Sequence, residues 1–350
     1  MKILVTGNLG YIGPVVIKWL HAHLDNSTIV GLDVGYYKNC ITTNVEELNS
    51  YLPDIQHFGD IRDVELDFLN GFDAIVHLAA VSNDPMGKRF HDATYEINYK
   101  GTARLAKLAK RAGVKSFVFA SSCSVYGFSG NEARTENSEV LPLTTYAESK
   151  VLSERYLETL ADENFTVTAL RFSTAAGMSC RLRLDLVLND FVYSAIKNGV
   201  IKILSDGTPW RPIIDVKDMA RAIEWAVSRP NTNGGSFVSV NVGSNNSNYQ
   251  VIDLARVVAK LIPGVSIDIN KDASPDKRSY KVNFDLFQSL APNHQNQISL
   301  EQTIWELKHG IEEMGLQSLQ KVASDLIRLN VLQNLLTSNQ IDMGLHWIRH

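Results

Sequence analysis

The sequence predicts a doubly wound parallel α/β sheet followed by a smaller, mixed α/β lobe. Three observations lead to this fold class: short apolar runs typical of buried strands, helical stretches between those runs, and a glycine-rich turn after the first strand. The apolar runs become sparse after about residue 176. We therefore predict a first domain over 1–176, with some return of later segments, a second lobe over 177–315 and a helical tail over 316–350.

Strands and helices alternate along the first domain. The predicted strands cover residues 2–6, 28–32, 72–80, 115–122 and 165–171, and the predicted helices cover 11–23, 92–112 and 146–162. Such alternation favours a parallel sheet with helices on both faces. In the second lobe, helices are predicted over 185–197, 216–228 and 249–262.

The tail carries apolar residues at mixed three- and four-residue spacing, which is typical of an amphipathic helix. We expect this helix to dock on the body of the protein or on a second subunit. The apolar residues are Leu319, Val322, Leu326, Leu329 and Leu332.

Composition excludes several classes of function. A net charge of −4 and a pI near 6.1 give no reason to expect a nucleic acid or an anionic membrane as partner. Three cysteines without CxxC spacing indicate neither a disulfide framework nor a metal site. The sequence has no signal-peptide pattern and no apolar stretch of membrane-spanning length, so we expect a cytoplasmic protein.

The turn after the first strand has the pattern of a dinucleotide-binding site. Gly7 permits the tight turn, Gly10 lets the backbone approach a phosphate, and Gly13 lets the following helix pack on the strand. Asp33 ends the second strand about twenty residues later, where its carboxylate can accept hydrogen bonds from ribose hydroxyls. A 2′-phosphate would be repelled there, so the pattern favours NAD over NADP.

Two further segments belong to this half of the chain. Asp60 is placed to hold the adenine amine, although a helix-capping aspartate is an almost equal alternative. The small residues of Leu78-Ala79-Ala80 follow a predicted buried strand and allow a cofactor to approach the backbone.

Tyr146 and Lys150 are four residues apart, which places a phenol and an ammonium side by side on one helical face. Taken alone, they would be a packed aromatic and a solvated charge. After a dinucleotide motif they indicate redox chemistry on an alcohol or ketone. The lysine cation and a positive nicotinamide ring should lower the pKa of Tyr146 from its usual value near 10, which would make it a base.

With these motifs the chain resembles the extended short-chain dehydrogenase/reductases of the nucleotide-sugar epimerase/dehydratase family. The resemblance covers about residues 1–315. It implies a Rossmann-type NAD domain, a small lobe that binds a nucleoside-diphosphate sugar, and a homodimer formed through the helices at 92–112 and 146–162. The matching segments, besides the glycine turn and Asp33, are Gly59-Asp60-Ile61, His77-Leu78-Ala79-Ala80, Asn98, Ser121-Ser122-Cys123-Ser124-Val125-Tyr126-Gly127, Tyr146-x-x-x-Lys150 and Trp210-Arg211-Pro212-Ile213-Ile214-Asp215.

The resemblance also implies roles for individual residues. Ser122 would hydrogen-bond the same substrate oxygen as Tyr146, and Lys150 would donate to the nicotinamide ribose. The residues expected to contact NAD are Gly7, Leu9, Gly10, Tyr11, Ile12, Gly13, Asp33, Asp60, Ile61, Leu78, Ala79, Ala80, Asn98 and Lys150. Those expected to contact the substrate are Ser122, Tyr146, Arg183, Asn189, Arg211 and Arg278, with Arg211 and Arg278 on the diphosphate.

The residues after Ser122 bear on the reaction. Similar dehydratases carry an Asp-Glu pair where this chain has Cys123 and Ser124, so the sequence argues against 4,6-dehydration. C4 epimerisation through a 4-keto sugar is then the simplest prediction. A 4-keto reductase or a C4 dehydrogenase of a nucleotide-activated deoxy sugar or heptose is a close alternative. A dehydratase, a non-catalytic NAD sensor and a reductase of small non-nucleotide carbonyls fit the residues less well.

Overall fold

The computed structural model describes residues 1–270, 272–273, 278–315 and 323–348. Its strands, named in chain order, are β1 Lys2–Thr6, β2 Thr28–Asp33, β3 Ile55–Phe58, β4 Ala74–His77, β5 Ser116–Ser122, β6 Phe128–Arg134, β7 Thr166–Phe172, β8 Thr174–Ala176, β9 Val200–Ile203, β10 Trp210–Asp215, β11 Phe237–Val242, β12 Asn248–Gln250, β13 Ser266–Ile269 and β14 Ser279–Val282.

The helices alternate with these strands over most of the described chain. They are α1 Gly13–His23, α2 Val45–Leu48, α3 Asp84–Arg89, α4 His91–Tyr95, α5 Thr102–Arg111, α6 Thr145–Leu160, α7 Val187–Asn198, α8 Val216–Ser228, α9 Val251–Leu261, α10 Asp285–Leu290, α11 Leu300–Met314 and α12 Arg328–Thr337. A π-helical segment, Glu96–Gly101, joins α4 to α5, so the helix predicted over 92–112 forms with an irregular middle.

Seven parallel strands form the main sheet, in the order β11-β7-β5-β4-β1-β2-β3. Apolar residues of α1 and α8 cover one face, and those of α5 and neighbouring segments cover the other. Both faces are therefore buried, as the continuous apolar strands require. The predicted doubly wound, Rossmann-type fold is confirmed.

The carboxyl ends of these strands carry the predicted cofactor segments. The strand order reverses between β1 and β4, which opens a crevice at the ends of the two strands. The strand predicted over 72–80 ends at His77, so Leu78, Ala79 and Ala80 lie in the loop at this crevice.

Some of the chain beyond residue 176 returns to the first domain. Strand β11 pairs with β7, and α8 packs beside α1 on the sheet. The other strands beyond residue 176 lie in three small sheets, β12-β10-β8, β13-β9 and β14-β6, in which β8 and β6 come from the first part of the chain. Helices α7, α9 and α11 share a separate core that includes Leu188, Leu254 and Ile304.

The described part of the tail, residues 323–348, is only partly helical. Leu319 and Val322 lie outside the described residues. Helix α12 covers Arg328–Thr337, with Leu332 buried, and a segment of turns follows it, in which Ile341 and Trp347 form an antiparallel bridge. Leu326 and Leu332 belong to the cores of the second lobe and the main sheet, respectively. The described part of the tail therefore docks on the body, which is one of the two expected arrangements.

None of the described helices is both long and apolar enough to cross a bilayer. Helices α5 and α6, to which the resemblance assigns a dimer interface, lie side by side next to the sheet. The homodimer stays a prediction.

A buried ion pair connects α6 to the main sheet. Arg171 of β7 donates to Glu154 of α6 at 2.6 Å, and both side chains are at least nine-tenths buried. Ser121 also donates to Glu154, and Arg171 donates to the hydroxyl of Tyr126 at 3.0 Å. These contacts fix α6 against the strands that precede the site.

We predict that Glu154→Gln lowers the free energy of unfolding by about 3–5 kcal/mol, because it leaves the Arg171 guanidinium buried without its carboxylate. The control is Asp253→Asn, which breaks the exposed pair with Arg256 and should cost less than about 1 kcal/mol. Urea unfolding of both variants measures the difference. Equal losses in the two variants would contradict the structural role of the buried pair.

Candidate active site

The glycine turn brings the end of β1 against the end of β4. Gly7 has a φ of +73°, and a Cβ atom there would lie 2.6 Å from the backbone of Ala79. A Cβ on Gly13 would lie 2.4 Å from the carbonyl oxygen of Asn8. Both positions therefore exclude a side chain. The result is a shallow backbone cradle at the start of α1, where N–H groups and the helix dipole favour a phosphate.

Asp33 faces this cradle from the end of β2. Its carboxylate accepts hydrogen bonds from the backbone N–H of Leu9 at 2.9 Å and of Gly35 at 2.7 Å. Burial raises the pKa of Asp33, and these two N–H donors act in the opposite direction. The carboxylate is thus held in place with acceptor capacity left for ribose hydroxyls.

Asp60 lies at the far end of the same cavity, next to Ile61. Its carboxylate accepts from the guanidinium of Arg62 at 2.6 Å and from the Arg62 backbone N–H at 2.8 Å. Asp60 therefore works both as a turn-forming aspartate and as an ion-pair partner. A contact between Asp60 and an adenine amine stays a prediction.

Most residues predicted to contact NAD line one cavity. This cavity, called the cofactor cavity below, is lined by Gly7, Gly10, Tyr11, Ile12, Gly13, Asp33, Asp60, Ile61, Leu78, Ala79 and Ala80. The glycine cradle, the ribose-binding carboxylate and the small residues after β4 together fit a dinucleotide.

Two predicted cofactor residues lie behind the lining. The backbone N–H of Leu9 holds Asp33, as described above. The amide of Asn98 accepts from the Val81 N–H at 2.8 Å and donates to the Val81 carbonyl and to Ser149 at 3.0 and 3.2 Å. Asn98 therefore ties the loop after β4 to α6, and its side chain positions the site from behind.

Helix α6 supplies the phenol and the ammonium. Thr144 caps its N-terminus by accepting from the backbone N–H of Ala147 at 3.2 Å. One turn further on, Lys150 donates to the carbonyl oxygen of Ala120 in β5 at 2.6 Å, and its Nζ lies 5.5 Å from the centre of the Tyr146 ring. Tyr146, Lys150 and Ser122 line a common cavity.

The pKa values in this site differ from the expectation. Burial raises the pKa of Tyr146 to about 12, while a hydrogen bond with Ser122 acts to lower it. Burial also lowers the pKa of Lys150 to about 7, and Glu154 acts to raise it. The expected lowering of the Tyr146 pKa by Lys150 is therefore wrong for the protein groups alone, because burial removes water from both side chains.

The two residues after Ser122 have different surroundings. Cys123 is fully buried, and its thiol donates to the carbonyl oxygen of Arg171 at 3.0 Å. Burial raises the pKa of the Cys123 thiol, so it is unsuited to acid–base chemistry. Ser124 lines the common cavity. Neither residue offers a carboxyl group beside Ser122.

The common cavity, called the substrate cavity below, has a volume of about 800 Å³ and reaches into the second lobe. Three arginines line it: Arg183, Arg211 and Arg278. It shares Tyr11, Ile12, Leu78, Ala80, Ser82 and Arg183 with the cofactor cavity, so the two cavities meet. A cofactor can therefore extend from the glycine cradle towards Tyr146 and Lys150.

The cavity arginines already have partners within the chain. Arg183 donates to Asp185 at 2.8 and 2.9 Å, and Arg278 donates to Asp84 at 2.7 Å. Arg211 donates to the carbonyl oxygens of Trp210 and Arg278. Sequence reasoning did not identify Asp84 and Asp185 as cavity residues, because no local motif marks them.

Asn189 lies outside both cavity linings. It is fully buried; its amide accepts from the Gly177 N–H at 3.0 Å and donates to the Arg183 carbonyl at 3.0 Å and the Tyr11 hydroxyl at 3.3 Å. Its predicted contact with substrate would therefore act through Arg183 and Tyr11, both of which line the substrate cavity.

Comparisons with known proteins agree with this geometry. Residues 3–243 match the NAD dependent epimerase/dehydratase family. An uncharacterized UDP-glucose epimerase of Bacillus subtilis is 27% identical over 69% of this chain and 77% of its own length. A putative UDP-glucose 4-epimerase of Methanocaldococcus jannaschii is 28% identical over 73% and 81%, respectively.

Solved structures share the fold. UDP-glucuronic acid 4-epimerase from Bacillus cereus, in complex with UDP-glucuronic acid and NAD, has a TM-score of 0.77 at 22% identity and covers 90% of this chain and 100% of its own. An NAD-dependent NDP-hexosamine 5,6-dehydratase of tunicamycin biosynthesis has a TM-score of 0.77 at 21% identity, covering 90% and 99%.

We predict that the burial of Lys150 makes stability depend on pH. The pKa of Lys150 is about 7 in the folded protein, against 10.5 for a solvated lysine side chain. Between these two pH values the lysine takes up a proton when the protein unfolds, so the free energy of unfolding rises with pH in this range. In cofactor-free protein, Lys150→Met should therefore raise the unfolding midpoint relative to the original chain, most strongly below about pH 7.

Thermal unfolding between about pH 6 and 10 measures this difference, which should shrink as the pH rises. Lys107→Met, on the exposed face of α5, is the control and should show no such trend. A Lys150→Met difference that stays constant with pH would contradict the lowered pKa of the lysine.

Proposed function

Because this chain belongs to the NAD dependent epimerase/dehydratase family, and several of its relatives are named UDP-glucose 4-epimerases, we propose that it interconverts C4 epimers of a nucleoside-diphosphate sugar through a 4-keto intermediate. The observation that carries the proposal is the composition of the substrate cavity. A phenol, a serine hydroxyl and a buried ammonium converge there, and no carboxyl group follows Ser122.

Tyr146 is the proposed acid and base. Its phenolate oxygen takes the proton of the sugar C4 hydroxyl, and the phenol later returns a proton to the C4 oxygen of the epimer. When bound, NAD supplies the acceptor for the C4 hydride and a positive charge near the phenol. Because the protein groups leave the pKa of Tyr146 at about 12, this added charge is needed to lower it towards neutral pH.

Ser122 and Lys150 position the reacting groups. The hydroxyl of Ser122 hydrogen-bonds Tyr146 and lines the same cavity, where it can also bind the C4 oxygen. Lys150 is fixed by the Ala120 carbonyl, which leaves other N–H groups of its ammonium, when protonated, for the nicotinamide ribose hydroxyls. These contacts hold the C4 carbon in a reactive geometry.

Epimerisation fits these residues better than dehydration. Elimination of a C6 hydroxyl needs an acid for the leaving group and a base for the C5 proton. Cys123 is buried with a raised pKa, and Ser124 is a poor acid and base. With no residue beside Ser122 to drive elimination, the 4-keto sugar can rotate and accept hydride on its other face.

The nucleotide portion of the substrate would lie in the second lobe. Arg211 and Arg278 line that end of the cavity and offer guanidinium groups for a diphosphate. Tyr280 is buried and lines the same part of the substrate cavity; the centre of its ring lies 5.7 Å from the guanidinium carbon of Arg211. This arrangement is compatible with more than one nucleotide base and more than one sugar.

We predict the isotopic outcome of turnover in heavy water. A panel of nucleotide sugars should give a product of unchanged mass, no accumulation of NADH and no deuterium on carbon, because the hydride removed from C4 is the hydride returned. Chromatography with mass spectrometry separates the epimers and gives their mass, NMR locates any deuterium on carbon, and NADH absorbance measures reduction of the cofactor. Net formation of NADH would instead indicate a dehydrogenase. Deuterium at C5 together with loss of water would indicate a dehydratase.

We predict that Tyr146→Phe lowers kcat by about 10²–10⁴-fold, since it removes the acid–base group but keeps the ring. NAD binding, measured by calorimetry, should be unchanged. The matched control is Tyr156→Phe, ten residues further along α6, which should turn over at the original rate. Normal turnover by the Tyr146 variant would reject Tyr146 as the base.

We predict that Arg211→Ala weakens binding of UDP, dTDP, GDP or CDP, whichever the protein binds, by about 10- to 100-fold through loss of a charged hydrogen-bond donor. Arg256→Ala on the exposed face of α9 is the control. Thermal unfolding checks that both variants remain folded. Equal nucleotide affinity in the Arg211 variant and the control would remove Arg211 from the diphosphate site.

A further inference from the structure

The described part of the C-terminal tail reaches both cavities. Arg328, Leu332 and Leu345 line the cofactor cavity, together with the glycine cradle and Asp33. Ile327 and Leu329 line the substrate cavity. None of these residues belongs to a sequence motif of the site, and the family match ends at residue 243.

The end of the tail is tied to residues beside the two predicted adenosine contacts. Next to Asp33, the Tyr36 hydroxyl donates to the Leu345 carbonyl, and the indole N–H of Trp347 donates to the Val34 carbonyl at 2.7 Å. Next to Asp60, Arg62 donates to the carbonyl oxygens of residues 344 and 345 at 2.8 and 3.1 Å. The tail thus bridges both sides of this half of the cavity.

Packing supports these hydrogen bonds. The side chain of Leu345 is fully buried in the core that contains Ile61. The rings of Tyr36 and Trp347 lie 5.6 Å apart. Leu345 therefore forms part of the wall of the cofactor cavity, and residues 344–347 are held beside the two predicted adenosine contacts.

Arg328 brings a cation to this wall. Its side chain is among the largest fully buried ones, its exposed fraction is 1%, and its guanidinium lies 4.9 Å from the centre of the Tyr37 ring. It donates to the carbonyl oxygens of Arg181 at 2.7 Å and Asp325 at 3.2 Å. Among the described residues, no carboxylate forms an ion pair with it.

A buried guanidinium without a carboxylate is costly unless an anion reaches it. Arg328 and the glycine cradle line the same cavity, and the cradle is where a dinucleotide places its diphosphate. The carboxylate of Asp185 acts on Arg328 from a distance but pairs with Arg183, so the diphosphate would supply a direct ion pair for Arg328. Because a guanidinium has five N–H donors, Arg328 can keep both carbonyl contacts and still bind phosphate oxygens.

We propose that residues 323–348 form part of the NAD site, with Arg328 as a ligand of the cofactor diphosphate and residues 344–347 as a clasp over the adenosine half. Release of NAD then requires the clasp to open. The cofactor is consequently retained between turnovers, since each opening breaks the contacts of Tyr36, Arg62 and Trp347 together.

Cofactor release tests the clasp without any sugar substrate. Protein loaded with NADH is mixed with excess ADP-ribose, and the loss of bound NADH fluorescence gives the release rate. Trp347→Ala, at a partly exposed position, should release NADH at least about tenfold faster, because it loses a hydrogen bond and a ring contact. The control is Trp305→Ala on the exposed face of α11, which should release NADH at the original rate.

Adenine ligands test Arg328. Arg328→Gln should weaken ADP binding at least about tenfold and leave adenosine binding unchanged, whereas Arg256→Gln should change neither. Arg328→Lys, which keeps the charge, should recover part of the loss and serves as the test if the glutamine variant does not fold. Equal losses for ADP and adenosine, or an unchanged release rate in Trp347→Ala, would overturn the proposal. These measurements do not depend on which sugar reaction the enzyme catalyses.

Discussion

The hydrogen bond from the buried amino group of Lys150 to the carbonyl oxygen of Ala120 is the contact on which the site depends. It fixes α6 at the carboxyl end of β5, two residues before Ser122. Tyr146 then lies one turn earlier on the same helix and lines the substrate cavity. The ion pair between Glu154 and Arg171 fixes the next turn of α6 against β7. Together these contacts set the position of the phenol relative to the glycine cradle.

Burial determines the pKa values of the two ionisable groups in this arrangement, Tyr146 and Lys150. Removing water from Tyr146 and Lys150 raises the pKa of the phenol and lowers the pKa of the ammonium, so that each group favours its neutral form. Tyr146 therefore stays protonated near neutral pH unless a positive charge close to it lowers its pKa. An oxidised nicotinamide has this charge, whereas a reduced one does not. In the proposed mechanism, proton abstraction is therefore coupled to the oxidised cofactor, and the proposed clasp would suit a reaction that returns its own hydride.

Local sequence patterns were sufficient for the parts of the site that depend on neighbouring residues. The Gly7–Gly13 turn, Asp33 and the Tyr146–Lys150 pair follow from backbone sterics and helical spacing, and the doubly wound sheet follows from alternating apolar strands and helices. The pairing of β6 with β14 and the role of Arg328 depend on contacts between residues far apart in the chain. The raised pKa of Tyr146 was missed for the same reason, because burial is set by the whole fold rather than by Lys150.

The most direct test is the ionisation of Tyr146 with and without oxidised NAD. The ultraviolet phenolate absorbance of Tyr146→Phe, subtracted from that of the original chain, isolates one of the 12 tyrosines. At about pH 8, well below the usual tyrosine pKa, we expect no phenolate signal from Tyr146 in the cofactor-free protein and a signal of one phenolate when NAD is added. An equal signal in both states would contradict the dependence of the base on the cofactor charge.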